Sequence, residues 1–324
     1  MKLPEYFELD GGDRMPRIGF GTWQASDEEL ESAVADALAA GYRHFDSARA
    51  YENEAALGRA LNKWIGGDKA KRRELFVVTK LPPGGNRPDL VQEYFDKSYS
   101  DLGLEYIDLY LMHTPFAFEH VPGDLHPKNP DGSMRVDLTT DLIAVWKALQ
   151  KLKESGRVRH VGVSNVNAQQ LQRLTAAGRP ACLQIEMHAL CQQEEMIAAA
   201  AALNIPVVAY SPLGSKALAD ALAAKTGREY PDLLTLPAVR AAAAAHGRTP
   251  AQALLRYALQ RGVAVIPKST NPQRILQNIS LWDFNLSESE MASLRALDRG
   301  AAGRICDFSF FPGVEKHPEF PFNK

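Results

Sequence analysis

The sequence predicts an α/β protein in which one (β/α)8 TIM barrel domain spans residues 1–324. Eight short apolar runs occur along the chain, and longer stretches with helical periodicity separate them. No linker or shift in composition divides the chain, although its length would also allow two domains. A doubly wound sheet is the alternative, but it requires a G-x-G-x-x-G fingerprint after an early strand, and the sequence has none.

The eight runs have the composition of strands that are buried on both faces. They are nearly continuous in Val, Ile and Leu, as in parallel sheets, instead of alternating with polar residues. They cover residues 17–21, 42–46, 75–80, 107–113, 161–164, 183–186, 206–210 and 263–267.

Start and stop signals predict the helices between these strands. Ser26 and Glu29 form a capping box for the first helix, and Gly41 ends it. Asn271 and Pro272 begin another helix directly after the eighth strand. Further helices are predicted over 52–65, 88–102, 139–155, 167–177 and 249–261, and around the alanine runs at 198–202 and 241–245.

Four segments lie outside the regular units. Residues 7–15 predict an N-terminal β-hairpin that caps the bottom of the barrel, and the Phe- and Pro-rich residues from 303 onward predict a C-terminal loop over the active face. Residues 114–138 and 213–237 are predicted to be long βα-loops. Long connections in compact domains are often functional, and in a barrel these loops lie over the active face.

Composition excludes several classes of function. The chain has 37 Lys and Arg against 39 Asp and Glu, with the signs interspersed, so no nucleic-acid or membrane partner is expected. The basic cluster at 69–73 is interpreted as a solvated helix end or loop. Three scattered cysteines form neither a disulfide framework nor a metal site. Residues 1–16 lack the apolar segment of a signal peptide, so we expect a soluble, cytoplasmic protein without a metal.

Polar residues follow several predicted strands, where barrel enzymes place their catalytic groups. Asp46, Lys80 and His113 occupy such positions, as do Ser164, Gln184, Glu186, Tyr210, Ser211, Lys268 and Ser269, and Tyr51 follows the second strand. A carboxylate, an ammonium, an imidazole and a phenol together suit acid catalysis on a carbonyl group. We expect the lysine cation to lower the pKa of the phenol, the aspartate to hold the lysine, and the imidazole to orient the carbonyl oxygen.

Other interpretations of these residues remain open. Each of Asp46, Lys80 and His113 has an ordinary structural explanation when taken alone. Asp46 and Glu186 both lie at strand ends, so a carboxylate pair of the glycosidase type is an alternative. The segments 162–166 and 262–269 approach a nucleophile elbow and a phosphate-binding loop, but each lacks a required glycine.

The segment from Ile266 to Arg274 predicts an anion site. The N-terminus of the helix that begins near Asn271 leaves backbone N–H groups free, and Lys268, Ser269 and Arg274 surround it. A capped helix with incidental basic residues is the simpler alternative.

Taken together, these motifs resemble the aldo-keto reductase superfamily, and most of all its aldose reductase and xylose reductase branch. The resemblance extends over essentially the whole chain. Its motifs are Gly-Phe-Gly-Thr-Trp at 19–23, Phe-Asp-Ser-Ala-Arg-Ala-Tyr-Glu-Asn-Glu at 45–54, Thr-Lys at 79–80, Leu-Met-His at 111–113, Gly-Val-Ser-Asn at 162–165, Leu-Gln-Ile-Glu at 183–186, Ala-Tyr-Ser-Pro-Leu-Gly at 209–214 and Ile-Pro-Lys-Ser at 266–269.

The resemblance implies an enzyme that binds NADPH in an extended form and reduces aldehydes, including aldoses, and some ketones. By matching position, Tyr51 is the general acid, Lys80 and Asp46 tune it, and His113 orients the substrate. The implied cofactor contacts are Tyr210 on the nicotinamide ring; Ser164, Asn165 and Gln184 on its carboxamide; Lys268, Ser269, Thr270 and Arg274 around the 2′-phosphate; Gln277 and Asn278 near the adenine; Ser211, Leu213 and Ser215 over the pyrophosphate; and Gly21, Thr22 and Trp23 at the cofactor edge.

The implied substrate pocket comprises Trp23, Tyr51, His113 and Thr114. Thr114 stands where many relatives have tryptophan, which predicts a wider or more polar pocket and a preference for small polar aldehydes over ketosteroids. The aromatic surface of Trp23 predicts that activated aromatic aldehydes also react. Leu183 replaces a frequent asparagine, as in xylose reductases. Asp220 occupies a position where a carboxylate can engage the ribose of NADH, so NADH use is also expected.

Two further expectations follow from the resemblance. A non-catalytic NADPH-binding regulatory protein on the same fold is the alternative to an enzyme. We expect a monomer or a homodimer.

Overall fold

The computed structural model describes residues 3–322. Two residues of the segment 1–16, which was considered for a signal peptide, and the last two residues of the predicted C-terminal loop lie outside this range. The strands are β1 (Tyr6–Glu8), β2 (Arg14–Pro16), β3 (Phe20–Gly21), β4 (His44–Asp46), β5 (Phe76–Leu81), β6 (Ile107–Met112), β7 (Val158–Ser164), β8 (Leu183–Glu186), β9 (Val207–Tyr210) and β10 (Ala264–Val265). The helices are α1 (Asp27–Ala39), α2 (Glu54–Ile65), α3 (Lys69–Glu74), α4 (Val91–Leu102), α5 (Leu142–Leu152), α6 (Ala168–Ala176), α7 (Glu194–Ala202), α8 (Lys216–Thr226), α9 (Pro237–Ala245), α10 (Pro250–Gln260), α11 (Pro272–Ile279) and α12 (Glu288–Arg295).

Strands β3 to β10 form a parallel sheet in sequence order that closes on itself. Closure occurs where Ile18 pairs in parallel with Val265. There, the Gly19 N–H donates to the Val265 carbonyl and the Val265 N–H donates to the Arg17 carbonyl, both at 2.8 Å. Each of the eight predicted runs overlaps one of these strands, with β5 and β7 extending beyond their runs, so the predicted (β/α)8 barrel is confirmed.

The barrel interior is filled by alternate residues of the strands, as the period of two along a strand requires. Phe76 and Val78 of β5 and Leu109 and Leu111 of β6 lie in this inner cluster. Lys80 follows in the same alternation at the carboxyl end of β5 and is fully buried. The apolar interior therefore ends in a polar layer at the active face.

The predicted N-terminal hairpin is present and covers the other end of the barrel. Strands β1 and β2 pair antiparallel, with Phe7 opposite Met15. Met15 is fully buried against the inner cluster. The Asp13 carboxylate contacts His160 Nε2 of β7 at 2.9 Å.

The predicted helices are confirmed, with small shifts at their ends. The Ser26 hydroxyl donates to Glu29 at the start of α1. On α6, the Asn167 side chain accepts the Gln170 N–H and the Gln170 side chain accepts the Asn167 N–H, which makes a capping box. The predicted helix over 167–177 corresponds to α6.

Two local predictions were wrong. The stretch 213–237 is not only a loop, because α8 occupies its first half; the alanine- and leucine-rich sequence of that half favours a helix, and Gly227 ends it. The basic cluster at 69–73 is not wholly solvated. The Arg72 guanidinium is buried, donates to Asp108 at 2.8 Å and lies over the Tyr106 ring. Within residues 3–322, no helix is long and apolar enough to cross a membrane.

Candidate active site

A cavity of about 700 Å³ opens at the carboxyl ends of the barrel strands. A cavity of this size is ordinary for a small-molecule or cofactor site. The predicted site residues that line it are Gly21, Thr22, Trp23, Asp46, Tyr51, His113, Thr114, Asn165, Gln184, Tyr210, Ser211, Leu213, Ser215, Lys268 and Arg274.

Three predicted catalytic residues form one chain of polar contacts at the base of the cavity. Lys80 Nζ lies 2.5 Å from Asp46 Oδ1 and 3.3 Å from Tyr51 Oη. Lys80 also donates to the Ser47 carbonyl at 2.7 Å, so three oxygens surround its ammonium. Gln184 Nε2 donates to the other Asp46 oxygen at 2.7 Å. Both Asp46 oxygens are thus occupied, and the carboxylate holds the ammonium beside the phenol.

The turn that carries Tyr51 is tied to the neighbouring elements by Glu54. This fully buried carboxylate accepts hydrogen bonds from Thr79 at 2.5 Å, Ser98 at 3.1 Å and Arg49 at 3.2 Å. Thr79 precedes Lys80 on β5, and Arg49 begins the turn that ends at Tyr51. Glu54 therefore links the backbone segments of the acid and of its lysine. Glu54 is the last residue of the motif at 45–54, but no role was predicted for it.

His113 lies beside the phenol. The rings of Tyr51 and His113 meet edge to face, with centroids 5.8 Å apart. The buried His113 Nδ1 has no hydrogen-bond partner in the protein. Burial, together with the nearby Lys80 cation, lowers the pKa of His113 well below its usual value. The imidazole is consequently neutral at physiological pH.

The pKa of Tyr51 departs from the sequence-based expectation. Burial raises the pKa of Tyr51 above its ordinary value, and this effect exceeds the lowering by Lys80. Burial also opposes the charge on Lys80, but Asp46 and Tyr51 raise the pKa of this lysine above its usual value. The expectation of a lowered tyrosine pKa was wrong because desolvation of the phenolate outweighs the attraction of the cation.

Asn165, Tyr210, Ser164 and Gln184 form a second hydrogen-bonded group on neighbouring strands. Asn165 Nδ2 donates to the His113 carbonyl at 2.8 Å, and the Tyr210 hydroxyl donates to Asn165 Oδ1 at 2.7 Å. Ser164 Oγ donates to the Gln184 carbonyl at 2.8 Å. These bonds fix the orientation of the amide and phenol groups that line the cavity.

The opposite end of the cavity is basic. Lys268 and Arg274 line it, and both side chains are exposed. Asn271 Oδ1 accepts the Arg274 N–H at 3.0 Å and so caps α11. Ser269 and Thr270 lie between Lys268 and this cap but do not line the cavity. Lysine, arginine and the first turn of a helix provide the donor set that a phosphate group requires, so this end fits the 2′-phosphate of NADPH.

The segment 211–218 forms one side wall of the cavity. It includes Ser211 and Ser215, both of which have positive φ angles, and it leads into α8. Lys216 on α8 donates to both carboxylate oxygens of Asp220 at 2.8 Å. The carboxylate expected to engage NADH is therefore already paired with a lysine of its own helix.

Strained backbone is concentrated around this cavity. Residues other than glycine with a positive φ are uncommon and tend to cluster at functional sites. Five such residues line the cavity: Gln24, Asn165, Ser211, Ser215 and Phe308.

The family model described as "Aldo/keto reductase family" matches residues 17–299. The chain is 44% identical to aldo-keto reductase family 1 member A1 of Mus musculus and 43% identical to that of Homo sapiens, each over 322 residues that cover 97% of both chains.

The chain belongs to the aldo/keto reductase family.

Two solved structures support the same conclusion about the fold. The aldose reductase of Schistosoma japonicum superimposes with a TM-score of 0.89, and the Bombyx mori aldo-keto reductase in complex with NADP with a TM-score of 0.85. Each is 35% identical, and the match covers 99% of both chains. The predicted resemblance and the prediction of an NADPH-dependent aldo-keto reductase are confirmed, whereas the non-catalytic alternative finds no support.

Not every predicted site residue of this aldo/keto reductase lines the cavity. Lys80 lies beneath its surface and contacts Asp46 and Tyr51, and Ser164 lies there and contacts the Gln184 carbonyl. Gln277 and Asn278 lie on α11, where Gln277 is partly exposed and Asn278 is buried. Their roles near the adenine remain predictions.

One side of the cavity is aromatic, which was not predicted from the sequence. Phe308, Phe310 and Phe311 of the C-terminal segment line it, together with Cys306 and His126. We call Phe308, Phe310 and Phe311 the phenylalanine wall. They pack on a cluster of buried aromatic rings, with Phe116 and Phe308 at 4.9 Å and Phe118 and Phe311 at 5.2 Å between centroids. The predicted position of the C-terminal loop over the active face is therefore confirmed, whereas the aromatic surface that it forms there was not predicted.

The geometry does not support the glycosidase alternative. In the cavity of this reductase, Asp46 is paired with Lys80 and Gln184. Glu186 is fully buried, does not line the cavity, and accepts hydrogen bonds from the backbone of Ile305 and Cys306. Neither carboxylate is free to protonate a glycosidic oxygen or to attack a sugar carbon.

Proposed function

We propose that this enzyme reduces aldehydes to primary alcohols, taking the hydride from NADPH and the proton from Tyr51. The observation that carries the proposal is the position of the Tyr51 hydroxyl, which is 3.3 Å from the Lys80 ammonium and beside His113 inside the cavity. NADPH, when bound, supplies the hydride that is added to the carbonyl carbon.

The protein contributes the proton and its environment. Tyr51 holds a proton at Oη, because burial keeps the phenol in its neutral form. As negative charge develops on the carbonyl oxygen, the proton moves from Tyr51 Oη to that oxygen, and Lys80 stabilises the phenolate that remains. Asp46 holds Lys80 in place, and neutral His113 orients the carbonyl oxygen.

The cofactor site extends from these residues to the basic end of the cavity. Asn165, Gln184 and Tyr210 are positioned to contact the nicotinamide end, and Lys268 and Arg274 the 2′-phosphate. Ser211, Leu213 and Ser215 lie between them, where the pyrophosphate would pass. We propose NADPH as the preferred cofactor, because NADH lacks the phosphate that the two cations would bind and Asp220 is paired with Lys216.

For the substrate, the proposal covers small polar and aromatic aldehydes. Trp23 and Thr114 flank the catalytic residues, so the space beside Tyr51 accepts a small aldehyde. The phenylalanine wall adds an apolar surface that favours aromatic rings over bulky polar sugars. The proposed substrate class therefore gives aromatic aldehydes more weight than the sequence-based expectation did, because that expectation of small polar aldehydes rested on Thr114 and the polar composition of the long loops.

Two further proposals concern the setting of the enzyme. The three cysteines are free thiols, which supports a reducing compartment such as the cytoplasm. A monomer or a homodimer is proposed as the working form.

The test is a steady-state assay of NADPH oxidation with pentoses, hexoses, uronates, small aliphatic aldehydes and aromatic aldehydes, repeated with NADH. The alcohol product is identified by mass spectrometry, and deuterium placed at C4 of the nicotinamide should appear on the carbinol carbon. Absence of NADPH oxidation with every aldehyde would contradict the proposal.

A further inference from the structure

Glu186 is a buried carboxylate that the proposed chemistry leaves unused. It ends β8, two residues after Gln184, and its side chain is fully buried without lining the cavity. A buried charge costs several kcal/mol, on the order of the net stability of many domains, unless it is paired and hydrogen-bonded. The groups that form hydrogen bonds with the Glu186 carboxylate therefore indicate its function.

These partners are two consecutive backbone amides and one imidazole. Oε1 accepts the Ile305 N–H at 2.7 Å, and Oε2 accepts the Cys306 N–H at 2.9 Å. His188 Nε2 lies 3.0 Å from Oε1, while His188 Nδ1 accepts the Leu190 N–H at 3.3 Å. Because Nδ1 is an acceptor, Nε2 carries the proton and donates to Glu186. Each carboxylate oxygen thus binds the start of the C-terminal segment.

Ionisation of Glu186 is maintained despite its burial. Burial opposes the charge, but the hydrogen bonds from His188 and Ile305 and the Arg304 cation lower the pKa of Glu186 below its usual value. Hydrogen bonds to an ionised acceptor are stronger than those between neutral groups, and more so in a medium of low dielectric.

The C-terminal segment is held at its start, at its far end and beside the phenylalanine wall. Beside the wall, Lys225 Nζ donates to the Ser309 carbonyl at 2.9 Å and the Met134 N–H donates to the Pro312 carbonyl at 2.7 Å. Glu186 binds its start, and α6 binds its far end, where Gln170 Nε2 donates to the Glu319 carbonyl at 2.9 Å and Arg173 pairs with the Glu319 carboxylate. The phenylalanine wall lies between these two attachments. Cys306, whose N–H is bound by Glu186, itself lines the cavity two residues before Phe308.

We propose that Glu186 is a positioning residue: its carboxylate fixes the backbone of Ile305 and Cys306 to the barrel and thereby sets the phenylalanine wall that selects the substrate. The proposal rests on the proposed function, because its kinetic readout is aldehyde reduction. Glu186 contacts neither cofactor nor substrate in this scheme, so the proton donor and the cation site are unaffected.

The test is Glu186→Gln, assayed with propanal, which is too small to need the wall, and with 2-naphthaldehyde, which requires it. Glutamine has nearly the same size but replaces one acceptor oxygen by an NH2 group, so one of the bound N–H groups faces a donor. We expect the ratio of KM for 2-naphthaldehyde to KM for propanal to rise by about tenfold, in keeping with the loss of a charge-assisted hydrogen bond. Hydrogen exchange should quicken at amides 305–311 before it does in β4–β7.

Asp108→Asn is the matched control. Asp108 is also a buried carboxylate, and it accepts one backbone N–H, from Val77, as well as the Arg72 guanidinium. It lies near the amino end of β6, away from the cavity. We expect this variant to lower the melting temperature while leaving the KM ratio at the parent value. The same KM ratio in both variants would show a merely structural role for Glu186 and overturn the inference.

Hydrogen exchange on the unmodified chain keeps the inference testable even if Glu186→Gln does not fold. The amides of Ile305 and Cys306 should exchange more slowly than that of the exposed Phe310 by a factor of about 100 or more. Equal rates at these positions would overturn the inference. A parent enzyme that reduces no aldehyde, yet protects these two amides, would contradict the proposed function and leave the anchoring intact.

Discussion

The acidity of Tyr51 depends on the balance between its burial and its contact with Lys80. Burial raises the pKa of the phenol, and the adjacent ammonium moderates that effect. A raised pKa suits a proton donor, because the phenol keeps its proton until negative charge appears on the substrate. The Lys80 cation limits the rise in the pKa of Tyr51, so the phenol can still release its proton once that charge appears.

Tyr51→Phe should abolish carbonyl reduction while leaving NADPH affinity within a few-fold of the parent. The reason is that the hydroxyl serves proton transfer, whereas the proposed cofactor contacts lie on other strands. Single-turnover kinetics and fluorescence titration of NADPH measure the two effects separately. A variant that keeps more than about a tenth of the parent kcat would show that Tyr51 is not the proton donor, because its barrier would have risen by less than about 1.4 kcal/mol.

The rate of reduction should show no break near pH 6.5. The pKa of His113 lies well below its usual value, so this imidazole is neutral both below and above pH 6.5, down to its lowered pKa. The pKa of Tyr51 is raised, so the acid form persists throughout the neutral range and is lost only at alkaline pH. A kcat profile in aldehyde reduction checks this prediction. A fall in kcat as the pH rises through 6.5 would mean that a protonated histidine is required.

The catalytic residues could be found from the sequence because their positions follow from strand ends. Asp46, Lys80 and His113 come at the end of buried apolar runs, and a barrel brings all such ends to one face. The sequence could not give the sign of the tyrosine shift, which depends on the depth of burial. It also gave no role to Glu54, because a glutamate in the first turn of a helix is usually solvated.

At the scale of single elements, α11 combines a cap, a dipole and two cations. Asn271 accepts the Arg274 N–H, Pro272 has no N–H, and the Gln273 N–H remains available to an anion. Lys268 precedes this first turn, Arg274 lies within it, and both line the cavity.

Lys268→Ala and Arg274→Ala should each weaken NADPH binding by about 10–100-fold, which corresponds to about 1.5–3 kcal/mol for a charge-assisted hydrogen bond. NADH affinity should change little, because NADH has no 2′-phosphate. Fluorescence titration with both cofactors measures the effect, and Arg240→Ala on the partly exposed helix α9 serves as the control. Equal losses for NADPH and NADH would refute the assignment of these residues to the phosphate.

The phenylalanine wall should govern the preference for aromatic aldehydes. Phe311→Ala should lower kcat/KM for 2-naphthaldehyde by about tenfold, since truncation of a contacting aromatic side chain costs at least about 1.4 kcal/mol. Glyceraldehyde should be affected much less. Tyr6→Ala, which removes an exposed ring from the hairpin at the other end of the barrel, is the control. Parallel losses on both aldehydes would show that Phe311 supports the fold and does not select the substrate.

The elements that the sequence predicted well are those with a local signal. Buried parallel strands and capped helices carry their own pattern, so the barrel and its caps could be assigned from the sequence. The helix α8 was missed because proline, glycine and charge around it indicated a loop. The C-terminal loop was predicted over the active face, but its aromatic packing was not, because the partners Phe116 and Phe118 lie almost 200 residues earlier in the chain.

At the scale of the whole molecule, the proposed cofactor site joins the first and last strands of the barrel. Thr22 follows β3 and Lys268 follows β10, and Lys268 Nζ reaches the Gln24 carbonyl at 3.5 Å. Gly21 lies so close to the Ile266 carbonyl that a Cβ atom there would come within 2.8 Å of it. A ligand that contacts both sides therefore stabilises the closure of the barrel.

NADPH at 100 times its dissociation constant should raise the melting temperature by about 5 °C. Binding to the folded state alone contributes about 2.7 kcal/mol at that concentration, and a chain of this size gains roughly 2 °C per kcal/mol. Tyr51→Phe should retain the shift, while Lys268→Ala at the same NADPH concentration should lose about half of it or more, because a 10–100-fold weaker affinity leaves NADPH at about 1–10 times its dissociation constant. Differential scanning calorimetry provides the measurement. A full shift in Lys268→Ala would place the cofactor elsewhere.

The pairing of Ile18 with Val265 also has a consequence for biosynthesis. These partners are 247 positions apart, so the ring of strands cannot close until more than four fifths of the chain has left the ribosome. Until then, the edges of β3 and of the most recent strand expose unpaired N–H and C=O groups, which can pair with other chains. Growing chains of this enzyme thus depend on protection from aggregation for most of their synthesis, and that dependence ends when the eighth barrel strand emerges.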